Sequence, residues 1–315
     1  CIDKNLFEYQ IVYTEYAGHA TKLTQQAVKD KFTIVVAVGG DGTVNEIGKA
    51  LINTDTALGI IPVGSGNGLA RHLDIPVNVK GSLHILNQAC IHKLDYGIIN
   101  DMPFFCTCGM GFDAFISMKF AEAGKRGVIT YVQKVLEEGL KYEPETYDIE
   151  DNEGTHHYKA FLVSVANASQ YGNNAYIAPQ ASMSDGMLDI IIMEPFDILD
   201  APQVAIEMFN KTLNKSSKIK TFKAKHIHIH RKKEGVIHFD GDPIMAGNDV
   251  DIRIVPRGIK VVVNPKEHKD KRKPNMIQTS FSQLFSNIDL IRSNLNKQGR
   301  KFQALNKTIL RKLKI

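Results

Sequence analysis

The sequence has no run approaching the roughly 18 consecutive apolar residues that a membrane-spanning helix needs, which argues for a soluble or peripheral protein. Cysteine is scarce. Cys1, Cys90, Cys106 and Cys108 form neither a CxxC pair nor a dense framework, so a disulfide scaffold is excluded and a reducing cytoplasm fits best. Internal repeats and low-complexity segments are missing, which leaves a repeat architecture without support. Net positive charge is also lacking from most of the chain, although 39 Lys and Arg against 34 Asp and Glu give a net +5. Residues 266–315 hold 13 basic and three acidic residues, so the preceding 265 hold 26 against 31. The basic character therefore belongs to the tail, where it suits an anionic membrane surface or a solvated face. No aromatic-basic recognition module accompanies it, and nucleic acid is not an expected partner.

What is present is a chain of 315 residues with 43% hydrophobic and 23% charged content, large enough for two globular units and a tail. Residues 1–94 alternate between apolar strands and helices. The expected elements are a strand Tyr9–Tyr13, a helix His19–Lys29, a strand Phe32–Val38, a helix Val44–Leu51, a strand Ala57–Val63 and a helix Leu83–Ala89. That order predicts an α/β nucleotide-binding domain with a parallel sheet covered on both faces. The segment Phe7–Thr14 reads as a strand with nothing before it, and the first residue is Cys1, so the natural N-terminus is expected to be missing. Residues 95–265 change to short strands interrupted by one helical stretch, Ala114–Tyr142, which predicts an antiparallel β-sandwich. An exposed sandwich edge can pair with a second copy to give a homodimer, or remain free. Residues 266–315 carry apolar residues at helical spacing, from Phe281 to Leu313, and are expected to form two amphipathic helices packing back on the first domain.

The strongest chemical signal is Gly39-Gly40-Asp41-Gly42-Thr43-Val44-Asn45-Glu46, between a buried strand and a helix. Glycines allow close backbone approach to phosphate, and free amides at a helix start attract anions. The same letters make a tight turn in which Thr43 caps the helix and Glu46 completes a capping box. Asp41, a carboxylate among phosphate-cradling amides, needs a further partner, for which Mg²⁺ or a substrate hydroxyl is expected. A second loop, Gly64-Ser65-Gly66-Asn67-Gly68, follows the next apolar strand, and two such loops at neighbouring strand ends form one nucleotide crevice.

These two loops resemble those of the diacylglycerol kinase catalytic-domain family, which includes sphingosine and ceramide kinases and bacterial soluble lipid kinases. The resemblance implies an ATP-dependent lipid kinase in which ATP and lipid meet between an α/β domain and a β-sandwich domain. It implies nucleotide contacts at Thr14, at Gly40, Asp41, Gly42, Thr43, Val44, Asn45 and Glu46, and at Ser65, Gly66 and Asn67, the last also shaping the second loop. The family's N-terminal strand and Asn-Pro loop would precede Cys1. Gly111-Phe112-Asp113-Ala114 resembles the family's Gly-Phe-Asp-Ala segment, which gives Asp113 a role in substrate contact beside its simpler reading as a helix cap. Pro179–Asp189 resembles the family's magnesium loop, with Asp185 as the matching carboxylate and Ser182 and Met187 contributing backbone oxygen; an ordinary Asp-Gly turn is the alternative. Asp240-Gly241-Asp242 resembles the Asp-Gly-Glu element that supplies the general base, here with Asp242 in place of Glu. Asp240 is the first choice for that base and Asp242 its partner or alternative; a hairpin turn explains the same letters.

His226, His228 and His230 share one strand face, which is more simply an exposed sheet surface than a metal site. Gly68 stands where diacylglycerol kinases of the family commonly carry an acid, which leans the acceptor toward a sphingoid lipid. An NAD kinase-like enzyme and a non-catalytic lipid or nucleotide sensor on the same fold are the competing readings.

Overall fold

Apolar character on both sides of β1 (Ile34–Gly39) and β2 (Ala57–Pro62) places them inside a layered structure, and they pair in parallel, Ile34 with Ala57 through Gly39 with Pro62. The computed structural model describes residues 2–123, 142–196 and 200–265. The expected tail helices therefore lie outside the described residues, as do residues 124–141 of the expected long helical stretch. Helices α1 (His19–Lys29) and α2 (Asp41–Leu51) cover the face built by Ala37, Leu58 and Ile60; α4 (Val79–Gln88) covers the other with Ile85 and Leu86. Between them, α3 (Gly68–His72) follows the second glycine loop. Full burial of Leu58 and Ile60 contributes roughly 1.5–3 kcal/mol for each side chain.

The segment 7–15 is irregular and largely exposed, not a strand. Its alternation suits a strand, but a strand exists only through a partner for its backbone groups, and β1 forms a ladder only with β2 among the described residues.

Two long strands extend this sheet. Strand β14 (Asp249–Val262) meets β2 in parallel near its end, at Val261 and Leu58, and β11 (His226–Arg231) antiparallel near its start. Along its other edge runs β3 (Ile91–Ile99), with a bulge between Val255 and Ile259, and β3 turns into β4 (Met102–Phe104). Beyond β11 come β6 (Glu145–Asp151) and β7 (Gly154–Ala160), which completes an eight-stranded sheet. A second, antiparallel sheet has the order β10 (Ile219–Ala224), β9 (Leu188–Met193), β8 (Leu162–Ala166), β5 (Thr107–Gly111), β12 (Gly235–Phe239) and β13 (Asp242–Ala246). Its inner face, with Cys108, Met110, Val163, Val165, Ile190 and Phe239, packs on Tyr147, Ile149, Ile227, Ile229 and Val250 of the first sheet. Its outer face is covered by α5 (Phe112–Ala123), while α6 (Ala201–Phe209) adds Val204 to the same apolar cluster. The architecture is thus an α/β domain with a mixed sheet joined to a β-sandwich. Among the described residues no helix is long and apolar enough to cross a membrane.

Candidate functional site

Each glycine loop leaves the carboxyl end of a parallel strand, and the strand pairing brings the two loops together. Val63 N–H donates to Gly39 O at 3.0 Å. One residue further, a Cβ on Gly64 would stand 2.4 Å from Gly40 Cα, so the loops touch backbone to backbone. Asp41 fastens them. Its two carboxylate oxygens accept Asn67 N–H at 2.8 Å and Gly68 N–H at 2.7 Å, and a Cβ on Gly66 would meet the same carboxylate. The charge that looked misplaced among phosphate-binding amides is therefore held by two amides of the neighbouring loop. Asn67, with φ 53°, accepts Gly64 N–H and donates to Gly64 O, closing the second loop on itself.

Helix α2 starts at Asp41 with Gly40 as its N-cap and no side-chain cap, so the expected Thr43 and Glu46 capping box does not form. The helix begins ahead of Thr43, which lies within its first turn, close to Gly39. Glu46 instead accepts Gly18 N–H at 2.9 Å, tying the start of α1 to α2. Val44 and Asn45 are buried, while Gly42, Ser65 and Thr14 are exposed, the last in the irregular segment before α1.

The second carboxylate cluster sits at a hairpin. Phe239 pairs with Asp242, leaving Asp240 and Gly241 as a two-residue connection with φ 51° and 90°, the double positive φ that a type I′ turn requires. The Asp240 side chain turns inward and takes three backbone donors, Phe105 N–H at 2.7 Å and the N–H groups of Cys106 and Thr107 at 2.7 and 3.1 Å. Burial pushes its carboxyl up to about 6, against these three amides and Lys49, which pull it down. Asp240, the first choice for the base, thus has both oxygens engaged by the 105–107 backbone. Asp242 is exposed and, among the described residues, has no side-chain bond. As the cross-strand partner of Phe239 it emerges on the same face as that ring, over which the Lys49 ammonium lies 4.5 Å from the centroid.

Helix α2 joins the two clusters. At Gly48 a Cβ would meet the Phe105 ring at 2.7 Å, and Phe105 N–H is the donor to Asp240. The thiols of Cys106 and Cys108 lie beside these carboxylates, and burial followed by Asp240 pushes both well up, so they stay protonated and are poor nucleophiles.

Asp113 opens α5 and donates no proton as a carboxylate, yet it is the hub of a buried polar group. His238 Nε2 lies 3.0 Å from its Oδ2, Tyr171 O–H donates to the same oxygen at 3.2 Å, and Ala114 N–H meets Oδ1 at 2.8 Å. Residues His238, Tyr171, Lys49 and Lys223 were not singled out from the sequence for this site. Strand alternation could have flagged His238, which lies two positions before Asp240 on β12; nothing local marks the others.

In the loop expected to hold magnesium, the Asp185 carboxylate already has partners on both oxygens. Asp185 Oδ1 accepts Met187 N–H at 3.1 Å, and Oδ2 carries the Lys223 ammonium at 2.7 Å. Lys223 also reaches Asp189 at 3.2 Å, while Ser182 Oγ contacts Ser184 Oγ at 3.2 Å. The carboxylate expected to hold the cation is thus paired with a lysine. The three histidines of β11 face Asp249 and Asp251 across the sheet, with His230 2.8 Å and His228 3.3 Å from Asp249, and among the described residues no cluster suits a metal.

Comparison with known proteins finds two family domains in succession. The diacylglycerol kinase catalytic domain matches residues 1–99, and the YegS C-terminal NAD kinase beta sandwich-like domain matches residues 107–263. The diacylglycerol kinase of Bacillus subtilis is 28% identical over 267 residues, covering 82% of this chain and 86% of that protein. An uncharacterized Synechocystis protein is 29% identical over 267 residues; the match takes in 82% of this chain and 59% of the longer relative. The crystal structure of a diacylglycerol kinase from Bacillus anthracis shares the fold, with a TM-score of 0.65 at 23% identity over 81% of this chain and 84% of that one. With both halves of the fold matched in order, the chain belongs to the diacylglycerol kinase catalytic-domain family of kinases.

Proposed function

We propose that this chain transfers a phosphoryl group from ATP to a hydroxyl of a diacylglycerol-like or sphingoid lipid. The observation that carries the reading is the joining of two glycine loops by Asp41, with α2 leading from that joint through Gly48 and Phe105 to the Asp240 turn. Phosphoryl transfer asks for positioning and charge stabilisation more than covalent chemistry. The loop amides and the start of α2 offer the phosphates fixed partial positive charge. Asp240 anchors the turn, and Asp242, free of other partners among the described residues, takes the proton of the lipid hydroxyl. Lys49, beside Phe239, adds positive charge near Asp240. Mg²⁺ supplies charge neutralisation on the phosphates when it accompanies the nucleotide. Asp41 fits that role, because a carboxylate with two amide donors keeps two lone-pair sites. A lipid acceptor places the enzyme at a membrane surface during turnover, with the cytoplasm as its surroundings.

The test is Mg²⁺-dependent transfer from labelled ATP to detergent-solubilised diacylglycerol, sphingosine, ceramide and monoacylglycerol, with NAD as a further acceptor. Transfer to a lipid, reduced about 10²–10⁴-fold in Asp242→Asn while ATP still binds, is the expected result. Transfer to NAD alone would overturn it. The shared use of Asp41 and Asp240 as amide acceptors also suits a sensor that binds without turnover, and ATP binding with no transfer to any acceptor would favour that reading.

A further inference from the structure

The outer face of the second sheet carries a row across three strands. His238 on β12 pairs with Gly109 on β5, which pairs with Ser164 on β8. The missing side chain in the middle makes room for Asp113. A Cβ on Gly109 would stand 2.7 Å from Asp113 Oδ2 and 3.3 Å from His238 Nε2. Tyr171 closes the group from above, its hydroxyl 3.2 Å from Asp113 Oδ2 and 3.1 Å from Ser164 Oγ. His238 is 2% exposed and Asp113 10%, so their hydrogen bond is shielded from water.

This arrangement fixes a tautomer. An ionised Asp113 only accepts, so the proton of a neutral His238 must sit on Nε2. Nδ1 is then an acceptor, and Gly241 N–H points to it at 3.4 Å. Gly241 is the centre of the Asp240-Gly241-Asp242 turn. On the opposite side, the chain after Tyr171 grips the second glycine loop: Asn173 N–H donates to Gly66 O at 3.0 Å, a Cβ on Gly172 would meet Gly66 at 3.1 Å, and one on Gly68 would meet Tyr171 O at 3.2 Å. One buried network therefore touches the nucleotide loop at one end and the carboxylate turn at the other.

Resting on the lipid kinase reading, we propose that His238 is a positioning residue, held by Asp113 and Tyr171 in the Nε2–H tautomer, that sets the Asp240-Gly241-Asp242 turn in register with the second glycine loop. A plain packing role would predict that any side chain of similar volume suffices. A positioning role predicts that the acceptor at Nδ1 matters, because without it Gly241 N–H loses its partner and Asp242 is free to drift. A displacement of about 1 Å at a reacting group costs on the order of 10²-fold in rate.

The experiment combines kinetics with nitrogen NMR of the imidazole in full-length protein. In the wild type, His238 Nε2 should carry the proton with Nδ1 unprotonated, and Asp113→Asn should abolish that preference. His238→Phe and Tyr171→Phe should each lower kcat about 10- to 100-fold while the KM for ATP changes less than 3-fold. His238→Asn, which offers an oxygen near Nδ1, should recover most of what Phe loses. Wild-type kcat in His238→Phe, or equal loss in Phe and Asn, would overturn the proposal. So would an Nδ1–H tautomer in the wild type. If the wild type transfers phosphate to no lipid, the kinase reading fails on its own, and the nitrogen spectrum still decides the tautomer and with it the network.

Discussion

Replacing Gly64 with alanine tests whether the two glycine loops act as one unit. The new Cβ would stand 2.4 Å from Gly40 Cα and 3.3 Å from Gly40 N, backbone atoms that no rotamer change can move. Gly64 has no positive φ, so the conflict is purely steric. Ordinary contact begins at 3.4 Å, which requires the loops to part by 1.0 Å. The Asp41 bonds to Asn67 and Gly68, at 2.8 and 2.7 Å, span the same gap and would leave hydrogen-bond range together. Overpacking costs about 1–3 kcal/mol, and a hydrogen bond to a charged group contributes about 1.5–3 kcal/mol. Some relaxation will preserve one of the two bonds, so a net loss of about 2.5–6 kcal/mol is expected. Phosphate positioning should suffer as well, with about 10²-fold weaker transfer from a shift of this size. Denaturant unfolding and the rate of transfer from labelled ATP measure the two effects separately. A Gly64→Ala protein with the wild-type midpoint and the wild-type transfer rate would refute the claim that these loops are in contact and held by Asp41.

Lys223→Met should convert the 182–187 loop into a weak cation site, because it releases Asp185 and Asp189; a thermal midpoint raised by Mg²⁺ in the variant and unmoved in the wild type is expected, and Mg²⁺ stabilisation of the wild type through Asp185 would count against the lysine's role. His72 accepts Ser169 N–H on Nδ1 at 3.1 Å, and burial pushes it down from 6.5 to about 4, so the folded protein keeps it neutral while the unfolded chain protonates it. Its stabilising contribution is complete above pH 6.5 and is lost as pH falls toward 4, on the order of 3 kcal/mol. Asp240, raised to about 6, acts with the opposite sign over much of that range. The readout is therefore the difference between wild type and His72→Gln in denaturant unfolding at pH 7.5 and 4.5; parallel curves would remove His72 from the account.

What the sequence disclosed was whatever depends on neighbours along the chain. The helix His19–Lys29 and the strand Leu188–Met193 have the bounds read from periodicity, since an apolar stripe or an unbroken apolar run is a local property. Strands that carry charge were harder. β3 runs from Ile91 to Ile99, across the junction drawn at residues 94 and 95, and it buries Asp95 because Gly186 and Arg257 donate backbone N–H groups to that carboxylate from distant segments. The first half of β14 alternates Asp249, Asp251 and Arg253 with Val250 and Ile252, and those charges find their place in a strand where β11 supplies histidines opposite them. β13 contains Pro243, which its place at the sheet edge permits.

The two carboxylates of the Asp240-Gly241-Asp242 turn mark where local reading stops. Both are aspartates beside the same glycine, and spacing gives no reason to separate a base from an anchor. The separation comes from Phe105, Cys106 and Thr107, whose N–H groups arrive from more than 130 positions away and fill the oxygens of Asp240. Those amides are available because the chain between β4 and β5 must turn sharply to move from one sheet to the other, leaving its donors without a ladder partner. The same crossing brings Phe105 against Gly48 of α2, the helix that begins at the first glycine loop. A sequence motif for phosphate and a sequence motif for a carboxylate turn are thus joined by three residues that resemble no motif, whose role arises only once two sheets have been stacked.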